Sequence, residues 1–307
     1  MAAEASSVLV LLGPTATGKT AVGVEVARRI GGEVISADSR AFFRGLDIVT
    51  AKPTPDERGG VAHHLIDSAP VDGSYDAMAF RRDVDRLIPQ IRSRGHVPLL
   101  VGGGTLYLGA VLRGIFDGPA KDERLRRRLA DVPAGRLHER LQQVDPAAAA
   151  GIHPHDRLRI VRALEVYEAT GRPISDWQSE ARPLPYDFVV FGLTRERTDH
   201  RAAIASRVRE MIQSGLLREV RRRKEEGLNA SWQAYRTVGV PEAIDVLEGR
   251  ATEEEMETTI VSQTWSLARR QAAWFRRDRA VDWLNVTGRS VEDVATTVIA
   301  RWEERSE

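Results

Sequence analysis

The chain has 307 residues, 42% hydrophobic and 29% charged, a balance that fits a folded globular protein and excludes disordered, fibrous and low-complexity classes. It contains no cysteine, which removes disulfide frameworks, thiolate zinc sites and cysteine nucleophiles. The net charge is only +1, but all except four of the 45 basic residues are arginine, whose planar fork suits phosphate and RNA; a GC-rich genome would write the same bias without such a partner.

Val8–Leu12 is the first apolar run, too short to span a bilayer and without the charged lead of a signal peptide, so a cytoplasmic protein without a membrane partner is expected. It reads as a strand, as do Glu33–Ala37 and Val97–Val101, while Thr20–Arg29 and Asp76–Arg94 carry helical periodicity between them. This alternation predicts an α/β fold: a parallel sheet flanked by helices. From Ala120 to about Pro185 the strand signal stops and Arg and Leu recur at helical spacing, predicting an inserted all-helical lobe over 120–185 in a core made of 1–119 and 186–307. Phe188–Leu193 resumes the sheet, and the last hundred residues read as mainly helical with Val281–Val286 as a late strand. Between them, Thr252 with Glu255 forms a capping box for a helix from about Glu253 to Arg276. Its early acids and its Arg269, Arg270, Arg276 and Arg277 suit the helix dipole, over a length of about 36 Å.

Gly13-Pro14-Thr15-Ala16-Thr17-Gly18-Lys19-Thr20 fills every fixed position of the P-loop pattern, directly after a strand and opening a helix. Such a loop turns backbone N–H groups of Gly13, Thr15, Ala16, Thr17 and Gly18 toward a phosphate chain, Lys19 adds a full charge, and the Thr20 hydroxyl suits Mg²⁺. The motif specifies a polyphosphate without saying which. The second strand ends in Asp38-Ser39-Arg40, placing a carboxylate beside the phosphate site as a candidate base, although capping of the next turn is an equally ordinary role for Asp38. The third strand runs into Gly102-Gly103-Gly104-Thr105, where P-loop ATPases carry an Mg²⁺-binding aspartate; glycine there argues against simple ATP hydrolysis and for close approach of another molecule.

The blocks GPTATGKT, ISADSR with GLDIVTAKP, AHHLID, FRRD, VPLLVGGGTLY, VDPAAAAGIHPHD with RIVRALEVYEATGRP, and ARRQAAWFRRD resemble, in order and over nearly the whole chain, the tRNA isopentenyltransferase family of bacterial tRNA dimethylallyltransferases. The resemblance implies a P-loop NTPase-like core. It also implies transfer of the dimethylallyl group of dimethylallyl diphosphate to the N6 amine of the adenosine 3′-adjacent to the tRNA anticodon, releasing diphosphate. The P-loop would then hold a leaving group, where donors stabilise growing charge, with Lys19, Thr20 through Mg²⁺ and Arg236 sharing the task. By the same resemblance Asp38 accepts the amine proton, a reasonable role beside a weak nucleophile, and Thr105 stands near the family's catalytic threonine. The target base must leave its stack. Asp38, Ser39, Arg40, Arg159, Arg162, Arg269, Arg270 and Gln271 fall in blocks that face the RNA, the last three on a helix that in the family faces the diphosphate as well, and Arg126, Arg127, Arg128 and Arg157 add charge to a lobe that would clasp the anticodon stem-loop. His153, His155 and Asp156 imitate a metal cluster only superficially. A monomer is expected.

Some family positions differ: Ala41-Phe42-Phe43 replaces Gln-Val-Tyr, Val49 replaces glycine, Gly104 replaces a threonine, and Val240 and Leu267 replace tyrosines. The phosphate machinery is intact and the acceptor side altered. Three other readings follow: an adenylate isopentenyltransferase, against which the long lobe argues; a P-loop small-molecule kinase; and an anticodon-loop-binding relative with weakened catalysis.

Overall fold

In the computed structural model, which describes residues 7–306, the core alternates strands and helices: β1 (Ser7–Leu12), α1 (Lys19–Ile30), β2 (Gly32–Ser36), α2 (Pro55–Arg58), β3 (His63–His64), α3 (Ala77–Ser93), β4 (Val97–Gly102) and α4 (Thr105–Leu112). Five helices follow: α5 (Glu123–Leu129), α6 (Ala134–Val144), α7 (Pro146–Gly151), α8 (Arg157–Thr170) and α9 (Ile174–Ser179). The chain then forms β5 (Asp187–Thr194), α10 (Arg197–Gln213), α11 (Leu216–Glu225), α12 (Val240–Leu247), α13 (Glu253–Phe275), β6 (Asp282–Asn285) and α14 (Val291–Ser306).

The strands pair in parallel in the order β3-β2-β4-β1-β5-β6. Central β1 is buried at every position, as a strand covered on both faces must be, which is why its sequence is a continuous apolar run. Strand order reverses at β1, flanked by β4 and β5, so loops leaving the carboxyl ends of β1, β2 and β4 meet at one crevice. On one face Val22 and Val26 of α1 join Val294, Val298 and Trp302 of α14 over Leu9, Leu11 and Phe191. β3 adds a strand to those read from the sequence, and α14 falls in the stretch expected to be mainly helical.

Helix α13 begins as its capping box predicts: the Thr252 hydroxyl accepts from the Glu255 N–H at 3.2 Å and the Glu255 carboxylate accepts from the Thr252 N–H at 2.8 Å. Its far end carries Arg276 at the cap and Arg277 just after it, with Arg269 and Arg270 a turn earlier, so the cations stand at the carbonyl end of the helix.

Residue contacts separate 109–184 as a unit of its own from 1–108 with 185–307. Its core is Leu125, Leu129, Leu137, Leu141, Ile160 and Leu164. Fully buried Glu165 ties α5 to α8, accepting from Arg126 at 2.9 Å, from Arg162 at 2.8 Å and from the Asp122 N–H at 2.6 Å. These donors hold the Glu165 carboxyl at about 2 against the burial that would raise it. Among the described residues no helix is long and apolar enough to cross a membrane.

Candidate active site

The P-loop leaves β1 through Gly13, where a Cβ would lie 2.5 Å from the Leu193 carbonyl oxygen of β5, and enters α1 through Gly18, whose φ of 82° is left-handed. Both glycines are therefore demanded by backbone geometry. Buried Lys19 donates to the Pro14 carbonyl at 2.6 Å, within the loop itself. Burial and the neighbouring Arg207 lower its pKa to about 7, against a smaller upward pull from Asp38. An anionic ligand would favour its charged form.

Thr15, Lys19, Thr20, Ser36, Asp38 and Arg207 line one cavity. Asp38 follows β2, and its Oδ1 accepts from the Arg40 N–H at 2.9 Å, the turn-capping role. Capping uses only this one of its two carboxylate oxygens, so capping and base chemistry are compatible. Val34, Ala41, Pro53, Ile66 and Val101 give the same cavity an apolar wall.

The sequence reading missed Arg207, from the middle of α10, whose Nη1 reaches Thr15 Oγ1 at 3.4 Å. Burial lowers its pKa, and Asp38 and Glu210 pull the other way. Arg236, expected on the phosphate chain, is exposed at the end of a 3-10 turn and is not on the cavity wall. Lys52, also on the wall, has its three ammonium donors occupied: Phe43 O at 2.6 Å, Asp47 at 2.7 Å and Asp67 at 2.6 Å. With Glu219, which accepts from the N–H groups of Asp47, Ile48 and Val49, it pins the loop after β2 and carries Ala41 and Ile66 to the cavity.

The glycine run after β4 has a reason inside the chain, besides the place of Gly102 and Gly103 on the cavity wall, where close approach of another molecule was expected. A Cβ at Gly102 would sit 2.4 Å from the Ala37 carbonyl, one at Gly104 would sit 2.6 Å from the same oxygen, and the Gly104 N–H donates to it at 3.0 Å. Thus no side chain at 104 is compatible with this path of Ala37. Thr105 starts α4, half-buried and off the cavity wall.

Gln271 of α13 does line the cavity: its Oε1 accepts from the Thr15 N–H at 2.9 Å and its Nε2 donates to the Gly103 carbonyl at 2.8 Å. Arg269 and Arg270, one turn or less away, are exposed. Arg40 is half-buried, with burial lowering its pKa and its Nη1 donating to the Gln233 carbonyl at 3.2 Å; Ser39 is half-buried beside it. In the helical unit Arg159 is exposed and 3.3 Å from Asp156, while Arg126 and Arg162 are engaged by Glu165. Asp156 caps α8, and His153 accepts from the His155 N–H; among the described residues no group of three or more His, Cys, Asp or Glu is placed to hold a metal. The oxygen donors around Lys19, the hydroxyls of Thr20 and Ser36, instead suit a hard cation that keeps waters and phosphate oxygens as its other ligands.

The IPP transferase family profile matches residues 41–278. A tRNA dimethylallyltransferase of Symbiobacterium thermophilum is 46% identical, covering 95% of this chain and 93% of its own, and one of Thermotoga maritima is 43% identical over 92% and 93%. The solved full-length tRNA isopentenylpyrophosphate transferase of Bacillus halodurans superposes with a TM-score of 0.73 at 35% identity, covering 98% of each chain. A eukaryotic dimethylallyltransferase acting on tRNA superposes at 0.81 over 96% of this chain and 77% of that one; at 23% identity this is a likeness of fold alone.

Proposed function

Because the chain belongs to the IPP transferase family, we propose that its P-loop cavity binds dimethylallyl diphosphate and that Asp38 prepares the acceptor. The enzyme is a prenyltransferase of tRNA. It joins the dimethylallyl group to the N6 amine of the adenosine 3′-adjacent to the anticodon and releases diphosphate. The carrying observation is that one cavity combines Lys19, Thr20 and Arg207, an apolar wall from Val34, Ile66 and Val101, and the Asp38 carboxylate. That combination fits an anionic head, a five-carbon tail and an amine that must lose a proton.

In the reaction the allylic C–O bond breaks and its electron pair leaves with diphosphate, while the adenine nitrogen bonds to that carbon and its proton passes to Asp38. Lys19, Arg207 and the N–H groups from Ala16 to Lys19 meet the charge that develops on the departing oxygens, where fixed donors lower the barrier most. Thr20 and Ser36 would hold Mg²⁺, which when bound supplies further neutralisation of the diphosphate. Arg40 and Ser39 flank the entering adenosine. The helical unit, residues 109–184 where the sequence reading had 120–185, is the tRNA-binding lobe, with exposed arginines such as Arg127 and Arg159 meeting stem phosphates; the exposed Arg269 and Arg270 meet RNA phosphates as well. The enzyme acts in the cytoplasm as a monomer.

Mass spectrometry of an anticodon stem-loop RNA after incubation with dimethylallyl diphosphate and Mg²⁺ tests this reading: one prenyl unit on the target adenosine is expected. Prenylation of free AMP with unmodified RNA refutes it.

A further inference from the structure

Thr15 is held from three directions by side chains remote in sequence. Its N–H donates to Gln271 Oε1 at 2.9 Å, its carbonyl accepts from His200 Nε2 at 2.8 Å, and its hydroxyl lies 3.4 Å from Arg207 Nη1. Since a carbonyl only accepts, Nε2 of His200 carries the proton. His200 is buried, 6% exposed, and stands edge-on to Trp265 with ring centroids 5.6 Å apart. Gln271 is fixed at its other end by Gly103, whose missing side chain makes room: a Cβ there would lie 2.7 Å from Gln271 Nε2.

The N–H and carbonyl of Thr15 belong to two consecutive peptide planes, one joining it to Pro14 and one joining it to Ala16. Ala16 has φ 60°, a left-handed conformation that a residue with a Cβ adopts only where its surroundings over-determine it. His200 fixes the plane that enters Ala16, and Gln271 fixes the plane before it. Beyond Ala16 the loop passes through Gly18 into Lys19 and Thr20, which line the cavity. We infer that His200 and Gln271 are positioning residues for the prenyl donor: from α10 and α13 they lock Thr15 so that the cradle is formed before diphosphate arrives. This gives Gln271, from a helix that the family resemblance turned toward both RNA and diphosphate, a role on the donor side through Thr15, and makes Thr15 the clamped residue of the cradle, with its own N–H already occupied.

The inference rests on the P-loop being the diphosphate site, so binding and turnover are measured together. The probes are inorganic diphosphate with Mg²⁺, titrated calorimetrically into the full-length protein, and steady-state KM values for dimethylallyl diphosphate and the stem-loop RNA. His200→Phe keeps a flat ring against Trp265 but loses the donor, and Gln271→Leu loses both amide bonds. Each is expected to weaken diphosphate binding and raise the donor KM about five- to tenfold, the effect of one hydrogen bond, while the RNA KM stays within about twofold. His200→Gln, which returns an N–H near Nε2, is expected to recover most of the loss. The inference is overturned by His200→Phe and Gln271→Leu binding diphosphate as tightly as wild type, or by His200→Gln performing no better than His200→Phe. An elevated RNA KM with an unchanged donor KM would return Gln271 to the RNA side and overturn it as well. If wild type itself fails to bind diphosphate, or if Lys19→Ala leaves that binding intact, the cradle reading fails and the inference falls with it.

Discussion

Asp38→Asn separates two roles that the structure superimposes on one side chain. The Asp38 Oδ1 atom accepts the Arg40 N–H at 2.9 Å, and an asparagine carbonyl oxygen can accept the same bond, so the turn after β2 and the wall it supports are retained. What the variant lacks is a carboxylate able to take the amine proton. A positioned general base contributes about 10²–10⁴ in rate, which at about 1.4 kcal/mol per decade is about 3–5 kcal/mol of barrier. Single-turnover transfer from radiolabelled dimethylallyl diphosphate to an anticodon stem-loop should therefore slow by that factor. Inorganic diphosphate affinity should not fall, since the charge removed from the cavity is negative, and the urea midpoint should stay close to wild type. Asp38→Ala, which loses the turn acceptor too, should match the rate loss and add a stability loss of about 1 kcal/mol. An asparagine variant transferring within about threefold of wild type would show that turn capping is all Asp38 does, and the assignment of the base would be wrong.

Arg207→Ala removes a charged donor from the cavity and should raise the donor KM and the diphosphate Kd by about 10- to 100-fold, the range for one charge-assisted hydrogen bond; equal diphosphate affinity would remove Arg207 from the cradle. Gly102→Ala drives a Cβ to 2.4 Å from the Ala37 backbone between β2 and β4, so a destabilisation of about 1–3 kcal/mol, with transfer activity lost through displacement of the adjacent Asp38, is expected in denaturant unfolding and rate assays; wild-type values for both would contradict the close approach. At the opposite end of β2, Arg94 and then His64 hold the Glu33 carboxyl at about 2, below its ordinary 4.5. A depressed carboxylate stabilises the fold fully above the unfolded value and less as pH falls toward the folded one. The stability gap between wild type and Glu33→Gln in urea should thus be constant near neutrality and shrink as pH drops from about 4.5 toward about 2; a gap independent of pH would exclude this linkage.

Some of this molecule is legible locally because its chemistry constrains neighbouring residues. The P-loop needs its glycines, Lys19 and Thr20 in consecutive register after a buried strand, so one eight-residue window carries both the fold and the site. Arg207 and His200 have no such window. Each acts through a single side chain from α10, and among so many arginines only the inward face that α10 shares among buried His200, Ile204 and Val208 could have singled out position 207. β3 is not legible because two residues carry no alternation, whereas the buried positions Val294, Ala295, Val298 and Trp302 of α14 follow the helical spacing by which the end of the chain reads as helical. Gly102 and Gly104 illustrate a different limit. A glycine in sequence announces that space is needed at its Cβ, but not what fills it, and here the occupant is the chain's own Ala37. The lobe arginines differ again: at helical spacing Arg126 and Arg162 look like Arg127 and Arg159, and only the burial of Glu165 distinguishes a structural ion pair from a cation left facing solvent. For such side chains the partner sets the role, and the partner lies far along the chain.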